Sequence, residues 1–209
     1  MKKKIKNWNV IQMSMINNKY KMIVAADENW CIGNKGKLLD HFPEDMKFFK
    51  FITMNKCVVM GDNTQRSLPN LYLKNRFNIV LSYNDNNDLQ NIIKLEDNDT
   101  TEICYVPSIQ SIPSCIEAFN YFNKETKKYI NINRITDNDV FIIGGGQVYK
   151  QFLINDLIDT IYLTKIHHKY DGDTFIPNLY DLGFKEIDKM MSEVTNANGV
   201  SYEIIRLKK

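Results

Sequence analysis

"DVFIIGGGQVYKQFL", residues 139–153, runs from a short apolar stretch through three glycines directly into a helical pattern. The residues before the glycines read as a buried strand and those after as an amphipathic helix. Glycines at such a junction let a backbone come close to a ligand. They also aim free N–H groups, and the positive end of the helix, at an anion. The segment therefore reads as a phosphate or pyrophosphate seat, although three glycines also serve a plain tight turn. The spacing is not G-x-G-x-x-G, so the ordinary dinucleotide fingerprint is not what it offers.

Upstream, "KCVVMG" (56–61) followed by "DNT" has the same form: strand, glycine, then Thr64 as a candidate N-cap of a short helix. Two strand–glycine–helix junctions in one small sheet can hold the two ends of one dinucleotide phosphate chain. Working outward, "YKMIVAA" (20–26), "RFNIVLS" (76–82), "EICYV" (102–106), "DTIYLTKIHHKY" (159–170) and "VSYEIIRLK" (200–208) read as strands. Helices are expected from Pro43 to about Met54 and over "SIPSCIEAFNYFNKE" (111–125). "DENWCIGNKGKLLDHF" (27–42) reads as too polar and glycine-punctuated for regular structure. The alternation predicts an α/β fold. Its central sheet is mostly parallel, with a C-terminal antiparallel hairpin and helices on both faces.

The chain has 209 residues, 44% hydrophobic and 25% charged, which suits one domain with a sizeable core. A poorly ordered basic tail is expected over 1–20 and the domain over 21–209, with a surface insertion around 84–102 and a polar loop around 124–138. A net charge of +2 gives no footprint for nucleic acid, and no apolar run reaches membrane-spanning length. The four cysteines are widely spaced, and no secretory leader precedes them, so reduced thiols in the cytoplasm are expected. The three histidines make no zinc pattern.

Within "HFPEDMKFFK" (41–50), Asp45 shares a face with Phe48, Phe49 and Ile52. An acid in the first turn of a helix complements its dipole, and Glu44 does the same. That does not explain a carboxylate on the apolar side, where burial raises the pKa unless a donor ligand matches it.

Taken together, "IVAADENWCIG", "PEDMKFFKFIT", "NKCVVMG" with Thr64, "NRFNIVLS", "FIIGGGQVYKQFL", "IYLTKI" and "GDTFIP" resemble, in this order, the dihydrofolate reductases, over about Met22 to Leu207. The resemblance implies hydride transfer from NADPH to C6 of 7,8-dihydrofolate with protonation at N5, supplying one-carbon metabolism and thymidylate synthesis. Asp45 would receive the 2-amino group and N3 of the pterin, with Thr164 hydrogen-bonded to the carboxylate. Ile23, Val24, Phe49 and Leu73 would wall the substrate pocket. Arg76, otherwise a solvated surface arginine, would hold the glutamate tail of folate. Ala25, Ile32, Gly33, Ile143 and Tyr149 would surround the nicotinamide. Gly61, Thr64, Ser82, Gly144, Gly145, Gly146, Gln147 and Val148 would hold the phosphates and riboses. Asp173 and Thr174 match a loop that touches the active-site loop. Antifolates such as methotrexate are expected to bind, and a monomer is expected.

Three departures qualify the resemblance. Leu39 and Asp40 replace the family's Pro-Trp pair, which implies a second acid near Asp45 and altered kinetics. Asp62 and Asn63 stand where the family places basic residues, and Tyr83 stands for a phosphate-holding serine; both imply weakened discrimination for NADPH and useful NADH activity. The Tyr83–Asn138 region is longer than in compact bacterial members. No thymidylate synthase segment is present, which implies a single-function chain. The alternative readings are a related pterin or pyrimidine reductase with relaxed cofactor choice, and a catalytically weak binding or structural protein of this fold.

Overall fold

The computed structural model describes residues 19–82, 93–94 (backbone only), 101–126, 132 and 134–209. The N-terminal tail to residue 18, Tyr83, most of the expected insertion and the middle of the polar loop lie outside the described residues. In chain order the elements are β1 (Tyr20–Ala26), β2 (Cys31–Gly33), α1 (Pro43–Thr53), β3 (Cys57–Gly61), α2 (Asp62–Ser67), β4 (Phe77–Leu81) and β5 (Ile93–Lys94). There follow β6 (Glu102–Val106), α3 (Ile112–Thr126), β7 (Val140–Gly144), α4 (Gly146–Ile154), β8 (Ile158–Ile166), β9 (Thr174–Phe175), β10 (Lys185–Thr195) and β11 (Ser201–Lys208).

Nine strands form one sheet in the order β10-β11-β8-β1-β7-β3-β4-β6-β5. From β8 to β6 the neighbours are parallel, while β10, β11 and β5 join antiparallel. The parallel strands from β8 to β6 are buried on both sides, and strand alternation divides their side chains between two cores. Ile23, Val58, Met60, Val80, Phe141 and Tyr162 face α1, whose Phe48, Phe49 and Ile52 cover them. Met22, Val24, Val59, Ile79 and Ile142 face the other way, toward Phe119 of α3 and Phe152 of α4. Tyr20, at the end of the expected tail, is the buried first residue of β1, and Lys19 pairs with Asp156.

The stretch read as irregular holds a real strand: β2 pairs with β9, Cys31 with Phe175 and Gly33 with Thr174. A three-residue strand shows too little alternation to be legible. Edge strand β10 carries no sequence signal either, because it is exposed almost throughout and rich in charge. Helix α2 starts at Asp62 with Gly61 as N-cap, so Thr64 is not a cap but lies inside the first turn.

Candidate active site

Pro43 at the start of α1 is pre-set for a helix and lacks the N–H that would go unpaired there. The apolar stripe then docks the helix on the sheet, which turns Asp45 toward β8. There Thr164 Oγ1 donates to Asp45 Oδ1 at 2.5 Å. Strand register sets Thr164 beside Ala25 of β1 and Ile204 of β11. Burial pushes the Asp45 carboxyl above its ordinary value, and the Thr164 hydroxyl opposes that shift. The Tyr149 hydroxyl donates to the carbonyl of Ile23 at 2.8 Å, and burial, aided by the charge of Asp45, raises its pKa. One carboxylate with one hydroxyl partner in apolar surroundings is a receiver for a flat edge of N–H donors.

Ile23, Phe49 and Leu73 pack on the α1 side of the sheet with Asp45. Val24 does not: its side chain lies in the α3/α4 core, because adjacent strand residues point to opposite faces. Arg76 is buried at 5% exposure, which overturns the surface reading. Its Nε donates to Thr53 Oγ1 (2.9 Å), Nη1 to the Lys74 carbonyl (2.8 Å) and Nη2 to the Lys50 carbonyl (3.3 Å). Sequence reasoning missed Thr53, and also buried Asn78, which clasps the loop ahead of Arg76. Asn78 accepts from the Leu73 N–H at 2.9 Å and donates to the Leu73 carbonyl at 3.0 Å. An asparagine inside an apolar strand was the available signal, since a buried amide must be paired.

The two glycine junctions converge, because β3 and β7 run parallel with Met60 opposite Gly144. Gly144 has φ +126°, and a Cβ there would lie 3.5 Å from Thr64 Oγ1. A Cβ on Gly145 would lie 3.2 Å from the same oxygen, and one on Gly61 3.0 Å from Val148. At Gly146 it would meet Thr174 at 2.9 Å, with Ile32 beyond at 3.8 Å. This is a cradle that single methyl groups would fill, beside the start of nine-residue α4, and it fits the phosphates of a dinucleotide. Gln147 is exposed on the first turn of α4, while Ile143 and Ala25 are half-buried toward the Asp45 side. Gly33 in β2 contacts the β9 loop, where Asp173 accepts from the Lys35 N–H at 2.9 Å. Ser82 lies farther along the strand ends and donates to Asp62 Oδ2 at 3.0 Å.

Asp40 does not crowd Asp45. Its carboxylate is engaged by Tyr170, Asn196 and Asn198, while Leu39 packs with Phe42 and Tyr202.

A family model described as dihydrofolate reductase matches residues 19–209. The dihydrofolate reductase of Schistosoma mansoni is 30% identical over 87% of this chain and 91% of its own. That of Bacillus subtilis strain 168 is 27% identical over 90% of this chain and 92% of its own. The bifunctional dihydrofolate reductase-thymidylate synthase 2 of Arabidopsis thaliana is 32% identical over 83% of this chain, but only 29% of that protein is covered. The chain thus spans about three tenths of the plant relatives it matches. Among solved structures, dihydrofolate reductase from Enterococcus faecalis, complexed with NADP(H) and RAB-propyl, superposes with a TM-score of 0.64. It is 25% identical, over 91% of this chain and 96% of that one. The chain belongs to the dihydrofolate reductase family.

Proposed function

We propose that the protein reduces 7,8-dihydrofolate to 5,6,7,8-tetrahydrofolate with NADPH. The observation that carries this reading is the Asp45–Thr164 pair on the apolar α1 side of the sheet, joined to the glycine cradle through Tyr149, which donates to Ile23 and lies against Gly144. Asp45 receives the 2-amino group and N3–H of the pterin, and Thr164 fixes the carboxylate plane. Ile23 and Phe49 exclude water, which strengthens that pairing and lets the anion favour the N5-protonated pterin. Of the five N–H donors of Arg76, three are spent on protein acceptors. The other two suit the carboxylate of the folate tail. The reduced nicotinamide, when bound, supplies the hydride to C6. The chain's own contribution is orientation and a dry site.

Loss of NADPH absorbance on adding dihydrofolate to the purified protein tests this, with Asp45→Asn alongside. Turnover that depends on Asp45 supports the reading, and turnover undiminished in the variant overturns it. Methotrexate is expected to compete with dihydrofolate. We also take the protein to be a monomer working in the cytoplasm. Among the described residues no helix is long and apolar enough to cross a membrane.

Asp62 favours a second cofactor beside the first. A carboxylate already paired with Ser82 at the strand ends repels a ribose 2′-phosphate but accepts from a free 2′-hydroxyl. NADH is therefore expected to be a usable donor. In Asp62→Arg the ratio of kcat/KM for NADPH to that for NADH should rise; an unchanged ratio removes Asp62 from the cofactor site.

A further inference from the structure

The segment entering α1 is fastened by an acid that takes no part in the pterin box. Asp40 Oδ1 accepts from Asn198 Nδ2 at 2.8 Å and from the backbone N–H of His41 at 2.7 Å. Asp40 Oδ2 accepts from Asn196 Nδ2 at 2.9 Å and from the Tyr170 hydroxyl at 3.0 Å. Three of these four donors come from residues 130 to 158 positions away in the chain. The socket is itself built. Asn196 is buried, its Oδ1 accepts from the N–H groups of Asn198 and Val200, and its Nδ2 also donates to the His41 carbonyl at 3.2 Å. The turn between β10 and β11 is therefore folded around one amide that reaches across to residues 40 and 41. The donors, Asn198 foremost, hold the Asp40 carboxyl at about 2, so it stays ionised at neutral pH.

Two more attachments follow along the chain. The Tyr202 hydroxyl of β11 donates to Glu44 Oε2, and the Thr164 hydroxyl of β8 donates to Asp45. Leu39 and Phe42 pack between these points with Tyr170, Val200 and Tyr202. Residues 39–45 are thus tied down in sequence, with Asp45 as the last point.

We propose that Asp40 is a positioning residue: through Asn196 and Asn198 it clamps the entry to α1 against the β10–β11 turn and so fixes how Asp45 meets its substrate. This rests on the folate-reductase reading of Asp45. The clamp makes an exposed, remote turn part of substrate recognition. Asn198 makes no hydrogen bond to Asp45 or Thr164, yet it gives Asp40 its shortest side-chain hydrogen bond, at 2.8 Å.

The test uses the full chain with Asp40→Ala, Asn198→Ala and the double variant. Kinetics with NADPH and dihydrofolate are measured, together with amide hydrogen exchange over residues 39–46. Asn198→Ala, which removes one hydrogen bond to a charged group, should raise KM for dihydrofolate by about tenfold, and Asp40→Ala, which removes four, by at least as much, with KM for NADPH unchanged. The double variant should be no worse than Asp40→Ala, because the Asp40–Asn198 contact is already absent in that variant. Combining Asp40→Asn with Asn198→Asp, which restores a donor–acceptor pair, should recover part of the loss. Faster exchange in residues 39–46 of Asn198→Ala is expected whether or not the protein turns over. Equal changes in both KM values, or exchange unaltered there, overturn the clamp. If the unsubstituted protein does not reduce dihydrofolate, the folate reading fails, and the exchange result alone upholds or overturns the clamp.

Discussion

At the Asp45 end of the site a charged side chain is held in apolar surroundings, whereas at the Gly144 end side chains are missing. Thr164 and Gly144 lie toward the carboxyl ends of different parallel strands of one sheet, β8 and β7, and both ends rely on a threonine. Thr164 donates a hydrogen bond to the charge, while Thr64 fills the space beside the glycines. One end is specified by a functional group and the other by empty volume. They should therefore fail differently: the first by loss of chemistry in an intact fold, the second by loss of fit from an added methyl.

The largest effect is expected at the charged end. Asp45→Asn keeps shape but removes the anion proposed to receive the pterin, and should lower kcat/KM for dihydrofolate by about 10²–10⁴-fold. KM for the nicotinamide cofactor should barely move. Gly144→Ala reverses the pattern. With φ +126° and a Cβ placed 3.4 Å from the Tyr149 ring, it should cost about 1–3 kcal/mol. In steady-state kinetics that is a rise in KM for NADPH, with KM for dihydrofolate little changed. If both variants damaged both KM values alike, the two ends would not be separable.

Both ends could be anticipated because each is written in a few consecutive residues. Proline, acids and an apolar stripe make α1, and a strand running into glycines makes the β7–α4 junction. What was not legible depends on partners distant in sequence. Arg76 reads as the holder of the folate tail, with a surface arginine as the alternative, and its burial against Thr53 and the Lys50 carbonyl has no sequence signature. Asp40 looked like a second acid for the site because Asn196 and Asn198 lie more than 150 residues on. Val24 was assigned to the pocket with Ile23, but alternation along β1 sends its side chain to the opposite core. Thr64 is expected at the phosphate seat and also as a candidate cap; α2 is capped by Gly61 instead, and the packing of Thr64 against Gly145 depends on the β3–β7 register.

Thr164→Val tests how far the charge needs its partner. The variant keeps volume and removes the donor to Asp45, so kcat/KM for dihydrofolate should fall by about tenfold, less than for Asp45→Asn. A loss as large as that of Asp45→Asn would mean that Thr164 does more than orient the carboxylate.

The smallest effect concerns stability without ligand. Burial raises the Asp45 pKa above its ordinary 3.8, so the folded protein holds this proton more tightly than the unfolded chain does. Between the unfolded and folded values, unfolding releases a proton. Stability therefore falls as pH rises through that window, and stays at the lower level above it. Asp45→Asn has no proton to lose and should melt above the parent protein at neutral pH, the difference shrinking as pH falls through the same window toward the ordinary carboxylate value. Thermal unfolding of the two unliganded proteins from mildly acid to neutral pH measures this. Gly144→Ala, at the uncharged end, should instead lower the melting temperature by an amount that does not follow this pH window. An Asp45→Asn variant less stable than the parent at neutral pH would show that the Thr164 hydrogen bond already compensates the buried carboxylate. The charge would then belong to the fold as much as to the substrate.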